Sequence, residues 1–82
     1  KPIVLYTVPE CSACDMVRTY LESKKYPYTE INVEGDVEAQ KQMKTAVGNL
    51  SVPTLTVDGR KLTGFNASAL DAILDIAGYP AN

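Results

Sequence analysis

The sequence has no histidine, no tryptophan, a single phenylalanine and only two cysteines. The missing histidine removes Ser-His-Asp and Cys-His catalysis and every imidazole metal site. Two cysteines are too few for a disulfide-stapled secreted fold, and too few for a four-ligand zinc site within one chain. No apolar run approaches the ~18 residues a membrane span requires. The formal net charge is −2, from 8 basic and 10 acidic residues, which argues against a general nucleic-acid binder. What is present is ordinary globular material. The 82 residues are 45% hydrophobic and 22% charged, with no linker, repeat or low-complexity segment, and read as one domain over 1–82. The distinctive chemistry is one pair of thiols. Thiols so few and so close suit a reducing compartment, and a cytoplasmic location is expected.

The hydrophobic patterning alternates between two periods. Ile3 to Val8 is a β-branched and apolar run ended by Pro9, and reads as a buried strand. Ala13, Met16, Val17, Tyr20 and Leu21 recur at spacings of three and four, predicting a helix from Ser12 to Ser23 with Arg18, Glu22 and Lys25 largely on its outer side. After Pro27, Tyr28, Glu30 and Asn32 alternate with Thr29, Ile31 and Val33, as a strand does. Asp36 can cap a second helix, whose apolar stripe is Val37, Ala39, Met43, Ala46 and Val47 and whose stop is Gly48-Asn49. Leu55-Thr56-Val57, Asp58-Gly59 and Arg60-Lys61-Leu62 form the clearest hairpin signal in the chain. Asn66 or Ser68 can cap a last helix, Ser68 having capping-box spacing to Asp71. Leu70, Ile73, Leu74 and Ala77 would be its buried face, with Gly78 and Pro80 as stops. The predicted fold class is α/β, in the order β-α-β-α-β-β-α. The first two strands are expected to be parallel and the last two antiparallel, in a four-stranded mixed sheet flanked by three helices.

The thiol pair is Cys11-Ser12-Ala13-Cys14, at the junction of the first strand and first helix. A spacing of three places both sulfurs on one face. With Cys11 at the helix cap, the unpaired N–H groups and partial positive charge of the N-terminus stabilise its thiolate, the nucleophilic form. Cys14, one turn in, is expected to be more buried and less ionised. Cys11 then attacks a substrate disulfide and Cys14 resolves the mixed disulfide. Competing readings are half a zinc ribbon, for which the second pair is missing, and a structural disulfide, which across so short a loop would stabilise little. C-x-x-C after the first strand of a β-α-β chain reads as redox-active. Glu10 and Asp15 flank the pair, and no Lys or Arg lies between Lys1 and Arg18, so the pKa of Cys11 is expected to fall only modestly and the couple to be reducing. For Asp15 the plainer role is a helix-dipole partner in the first turn. In Val52-Pro53-Thr54, a proline enters a strand. A trans bond there is unremarked, whereas a cis bond would turn the Val52 backbone outward to pair with an extended substrate. Phe65, after Gly64, is either an exposed wall of a substrate groove or a core anchor for the last helix. Tyr6, Met16 and Met43 read as core, and Lys24-Lys25 as a solvated face.

Tyr6-Thr7, Pro9, Cys11-Ser12-Ala13-Cys14, Val52-Pro53-Thr54 and Thr63-Gly64-Phe65 stand in an order and spacing that resembles the glutaredoxins of the thioredoxin superfamily, from about Ile3 to Ala77. The resemblance implies a thioredoxin fold, a cis Pro53 lying against the thiol pair, catalysis by Cys11 and Cys14, and substrate binding by Ser12, Ala13, Val52, Pro53, Gly64 and Phe65. Glutathione-dependent members usually carry Lys three residues before the first Cys, a Gly-Gly with a following Asp, and a central Pro-Tyr. This chain has Val8, Gly64-Phe65 with Asn66-Ala67, and Ser12-Ala13 at those places. Its motifs look more like the NrdH-redoxin subgroup, although Val8 and Leu62 depart from that pattern too. That resemblance implies a monomeric dithiol reductase of protein disulfides, with no bound cofactor or metal. Its electrons would come from a thioredoxin reductase-like flavoprotein or from glutathione, with ribonucleotide reductase as one recipient. Alternatives are a glutathione-dependent glutaredoxin, an iron–sulfur cluster carrier built from two protomers, and a purely structural binding module.

Overall fold

A computed structural model describes residues 2–79. Seven elements follow in the expected order: β1 (Ile3–Thr7), α1 (Ser12–Ser23), β2 (Thr29–Asn32), α2 (Val37–Val47), β3 (Thr54–Val57), β4 (Arg60–Thr63) and α3 (Ala67–Ile76). The strands form one mixed sheet in the order β2-β1-β3-β4. β1 is central, parallel to β2 and antiparallel to β3, and β3 pairs antiparallel with β4. This is the thioredoxin-type arrangement that the resemblance implied. The hairpin turn has the left-handed angles that Asp58-Gly59 promised, with φ of 52° and 75°.

β1 separates two cores because its side chains alternate between faces. Ile3 and Leu5 meet Leu55 and Val57 of β3, Val17 and Leu21 of α1, Leu70 and Leu74 of α3, and Ala77 just past it. Tyr6 points the other way, into a smaller cluster with Val33, Ala39, Met43 and Val47, so α2 covers the opposite face. Helices therefore lie on both sides of the sheet, and both faces of β1 are buried. The rings of Tyr26 and Tyr79 lie 5.2 Å apart, and the Tyr26 hydroxyl donates to the Tyr79 carbonyl at 3.2 Å, closing the end of α3 onto the α1–β2 loop.

Several expectations need correction. Met16 is 51% exposed and not core, because the buried stripe of α1 is Cys14, Val17 and Leu21 and Met16 lies on its flank. Val37 and Ala46 are likewise exposed: Val37 is the first residue of α2, and Ala46 sits about 100° round the helix from the buried Val47 that follows it. β1 ends at Thr7, one residue before Val8. Asn66 caps α3 by accepting from the Ala69 N–H at 3.0 Å, so Ser68 lies inside the helix and no capping box forms with Asp71. The carboxylate of Asp71 is instead bonded by the Tyr20 hydroxyl. The proposed stop at Pro80 lies outside the described residues.

Candidate functional site

The chain leaves β1 at Thr7, passes Val8-Pro9-Glu10, and enters α1 with Cys11 as its N-cap. Cys11 is extended (φ −123°, ψ 104°), as a cap residue must be. Its Sγ accepts from the Cys14 N–H at 3.1 Å, the position a serine or aspartate oxygen occupies in an ordinary cap. Cys11 is half-exposed and Cys14 is fully buried. The two are joined as a disulfide with a Cα–Cα distance of 5.2 Å. The asymmetry in burial expected from the sequence is thus present: an accessible sulfur that accepts the Cys14 N–H, and a sheltered one a turn behind it. When the disulfide is open, a hydrogen bond from the Cys14 N–H to Sγ of Cys11 favours its thiolate.

The other residues singled out in the sequence gather at the same end of the sheet. β1 and β3 pair Tyr6 with Thr54, which puts Pro53 at the level of Thr7, where the chain turns toward the thiols. Thr54 in turn pairs with Thr63 at the end of β4. The Val52–Pro53 peptide bond is cis, as the resemblance implied. Pro53 is buried and its carbonyl accepts from the Gly64 N–H at 2.8 Å, tying the loop after β4 to the proline. Gly64 adopts φ 83°, a left-handed angle that a side chain would strain. The Thr54 hydroxyl, fully buried, bonds the Ser51 carbonyl at 2.6 Å and lies 3.0 Å from the Thr63 hydroxyl, fixing the same corner. Val52 is half-buried, and among the described residues no backbone hydrogen bond engages it. Ser12 is exposed and Ala13 half-buried in the first turn of α1.

Phe65 is half-buried, with one side on the core and the other on a groove. It packs against the core shared by α1 and α3, and it also lines an apolar groove of about 380 Å³ with Asp15, Met16, Thr19 and Tyr20. Burial first, then the Asp71 carboxylate, hold the Tyr20 hydroxyl protonated well above its usual range.

Sequence reasoning missed a polar cluster beside the pair. The helical spacing puts Arg18 on the outer side of α1, but its guanidinium reaches β2. Nε donates to Glu30 Oε1 at 2.9 Å and Nη2 to Glu30 Oε2 at 2.6 Å, while Nη1 binds Asp15. The buried Thr7 hydroxyl donates to Glu30 Oε2 at 2.8 Å. Arg18 before all else, helped by Thr7, holds the Glu30 carboxyl below its ordinary range. Only the Asp15–Arg18 half, at a helical spacing of three, had a signal in the sequence.

Among the described residues no group of three or more Cys, Asp or Glu is placed to hold a metal ion, and no helix is long and apolar enough to cross a membrane. Comparison with known proteins gives the family. An uncharacterised glutaredoxin-like 8.6 kDa protein of the rubredoxin operon of Clostridium pasteurianum is 29% identical over 73 residues, covering 89% of this chain and 97% of that one. The crystal structure of the thioredoxin-like protein BC3987 shares 30% identity with a TM-score of 0.79, over 87% of this chain and 97% of that one. The fold is also that of the Escherichia coli NrdH-redoxin, at 20% identity and a TM-score of 0.76, over 89% of this chain and 95% of that one. The family profile described as Glutaredoxin matches residues 3–62, a span holding both sulfurs and the cis proline. The chain belongs to the glutaredoxin family, and its Cys11–Cys14 pair makes it a thiol-disulfide oxidoreductase.

Proposed function

We propose that this protein is a dithiol reductase of protein disulfides, working in the cytoplasm as a monomer and recharged by a thioredoxin reductase-like flavoprotein. The Cys11 thiolate attacks one sulfur of the partner's disulfide, and the other sulfur leaves as a thiolate that takes up a proton. Cys14, losing its proton, then attacks Sγ of Cys11 in the mixed disulfide. The partner leaves as a dithiol and the Cys11–Cys14 disulfide remains, two electrons having moved to the partner. The reductase returns two electrons and the thiols re-form. No bound cofactor is needed. Val52, Pro53, Gly64 and Phe65 would seat the partner chain, with Ser12 and Ala13 at the point of attack. A ribonucleotide reductase, which accumulates a disulfide at each turnover, is one recipient of suitable chemistry.

The observation that carries the choice of reductant is the neutral lining where glutathione-dependent relatives are charged. Val8 stands for their lysine, and Asn66-Ala67 for the residues that hold the tripeptide's ammonium group. The Asn66 oxygen is already engaged, accepting from the Ala69 N–H at 3.0 Å as the cap of α3. Glutathione would find here neither a lysine for its carboxylate nor a carboxylate for its ammonium group. The test is a coupled assay with a protein disulfide as substrate. Rapid NADPH oxidation is expected with thioredoxin reductase, and little with glutathione and glutathione reductase. The reverse ranking would overturn the assignment and favour a glutathione-dependent glutaredoxin.

A further inference from the structure

We propose that Arg18 is a positioning residue for the thiol chemistry: by holding Asp15 and Glu30 it offsets part of the acidic charge that would otherwise disfavour the Cys11 thiolate. The inference rests on the reading of Cys11 as the attacking sulfur.

Asp15 follows Cys14 directly, and its N–H donates to the Cys11 carbonyl at 3.0 Å, closing the first turn of α1. That hydrogen bond ties Asp15 to the cap residue one turn before it. A bare carboxylate at Asp15 would therefore sit one turn from the reacting sulfur and oppose its ionisation. It is not bare. Arg18 reaches it with one nitrogen, and with the other two grips both oxygens of Glu30. Glu30 is itself held by the hydroxyl of Thr7, a residue buried at the end of β1. All three guanidinium nitrogens are committed, so the cation is fixed in place. The exposures agree: the Arg18 side chain is 29% exposed and that of Asp15 69%. The anchored partner is Arg18, and Asp15 folds onto it.

The charges around Cys11 show why one cation matters. The loop before it contributes Glu10, α1 contributes Asp15 and Arg18, and β2 contributes Glu30. Val52, Pro53 and Thr54 on the β3 side, and Gly64, Phe65 and Asn66 on the α3 side, are uncharged. Asp71 of α3 is taken by the Tyr20 hydroxyl, and Lys61 of β4 is turned to the Val47 carbonyl at the end of α2. Across the sheet, Glu38 and Lys41 of α2 pair with each other at 3.8 Å. Within these segments Arg18 is the cation that offsets the acidic side chains flanking the thiols.

The test is the pH titration of Cys11 in the reduced, full-length protein, followed by the ultraviolet absorbance of the thiolate. Arg18→Gln should raise the Cys11 pKa by about half a unit to one unit, as expected for a single charge in a largely solvated setting. Arg18→Lys should restore most of the wild-type value. Asp15→Asn should lower it, and the double variant should return toward wild type. All shifts should shrink in molar salt. A structural brace alone would lower the melting temperature and leave the titration in place. That result for Arg18→Gln and Asp15→Asn, or a downward shift in Arg18→Gln, would overturn the inference. Asp15→Asn keeps the Glu30 clamp, so it remains informative if Arg18→Gln unfolds. Failure of the wild-type protein to reduce any protein disulfide would instead remove the reading beneath it.

Discussion

At Cys11 two duties fall on one side chain. Its sulfur caps α1 by accepting from the Cys14 N–H, and the same sulfur is the accessible member of the disulfide. Substitution separates the two. Cys11→Ser keeps an oxygen acceptor of the kind preferred at N-caps, so its melting temperature should stay close to that of the reduced wild type, while disulfide reduction disappears. Cys11→Ala should lose both, at a cost of about 1 kcal/mol for the cap, read by chemical denaturation. Cys14 is different because it is fully buried. Cys14→Ala leaves no resolving thiol and should accumulate a mixed disulfide with protein substrates, seen as a reductant-sensitive band on a non-reducing gel. The same residues were readable in advance, since strand, C-x-x-C and helix stand side by side in sequence. Met16, two residues further on, was misread as core: spacing identifies a helical stripe but not its edges, and only the position of Phe65 shows that this flank borders an open groove.

Among the elements, α1 begins and ends at the residues predicted, Ser12 and Ser23, because its limits are set locally by the loop before it and by the apolar stripe within it. α3 required a choice between two caps, and the backbone took Asn66. Asn66→Ala should therefore cost about 1 kcal/mol, lowering the melting temperature by roughly 4–8 °C in a domain of this size, while Ser68→Ala should change little. Glu30 of β2 joins α1 through Arg18 and β1 through Thr7, across 12 and 23 residues of chain. The folded pKa of Glu30 is depressed, so its contribution is complete above its ordinary value of 4.5 and fades as pH falls through the lower folded value. Glu30→Gln should reduce stability at pH 7 by about 1 kcal/mol, discounted for partial exposure. The gap from wild type should close in acid, measured as urea midpoints over a pH series.

The whole molecule is small enough that each core leucine matters. A chain of this length buries only about 60–65% of its unfolded surface, and domains of this kind hold a margin of roughly 5–15 kcal/mol. Leu21 of α1 and Leu74 of α3 are both fully buried in the core on one face of the sheet. Leu21→Ala or Leu74→Ala should each cost about 2–5 kcal/mol, a large part of that margin. Because α1 carries the thiols and rests on this core, Leu21→Ala should also reduce the fraction of active protein near physiological temperature, measured by parallel melting and disulfide-reduction assays. The thiol pair, the proline loop and Gly64 come from three separated stretches of chain and meet at one end of a sheet whose order is β2-β1-β3-β4.

The sequence by itself determined whatever depends on neighbours in the chain: the order of elements, the limits of α1, the Asp58-Gly59 turn and the asymmetric pair of sulfurs. Backbone propensity, capping and spacing act over a few residues, so they are legible without coordinates. Only the tertiary structure decided that Arg18 turns to Glu30, that Asp71 serves Tyr20 instead of capping its own helix, and that Phe65 both anchors α3 and walls a groove. These contacts join residues far apart in sequence, and each is selected by which side chains the packed sheet and helices bring within hydrogen-bonding or van der Waals reach.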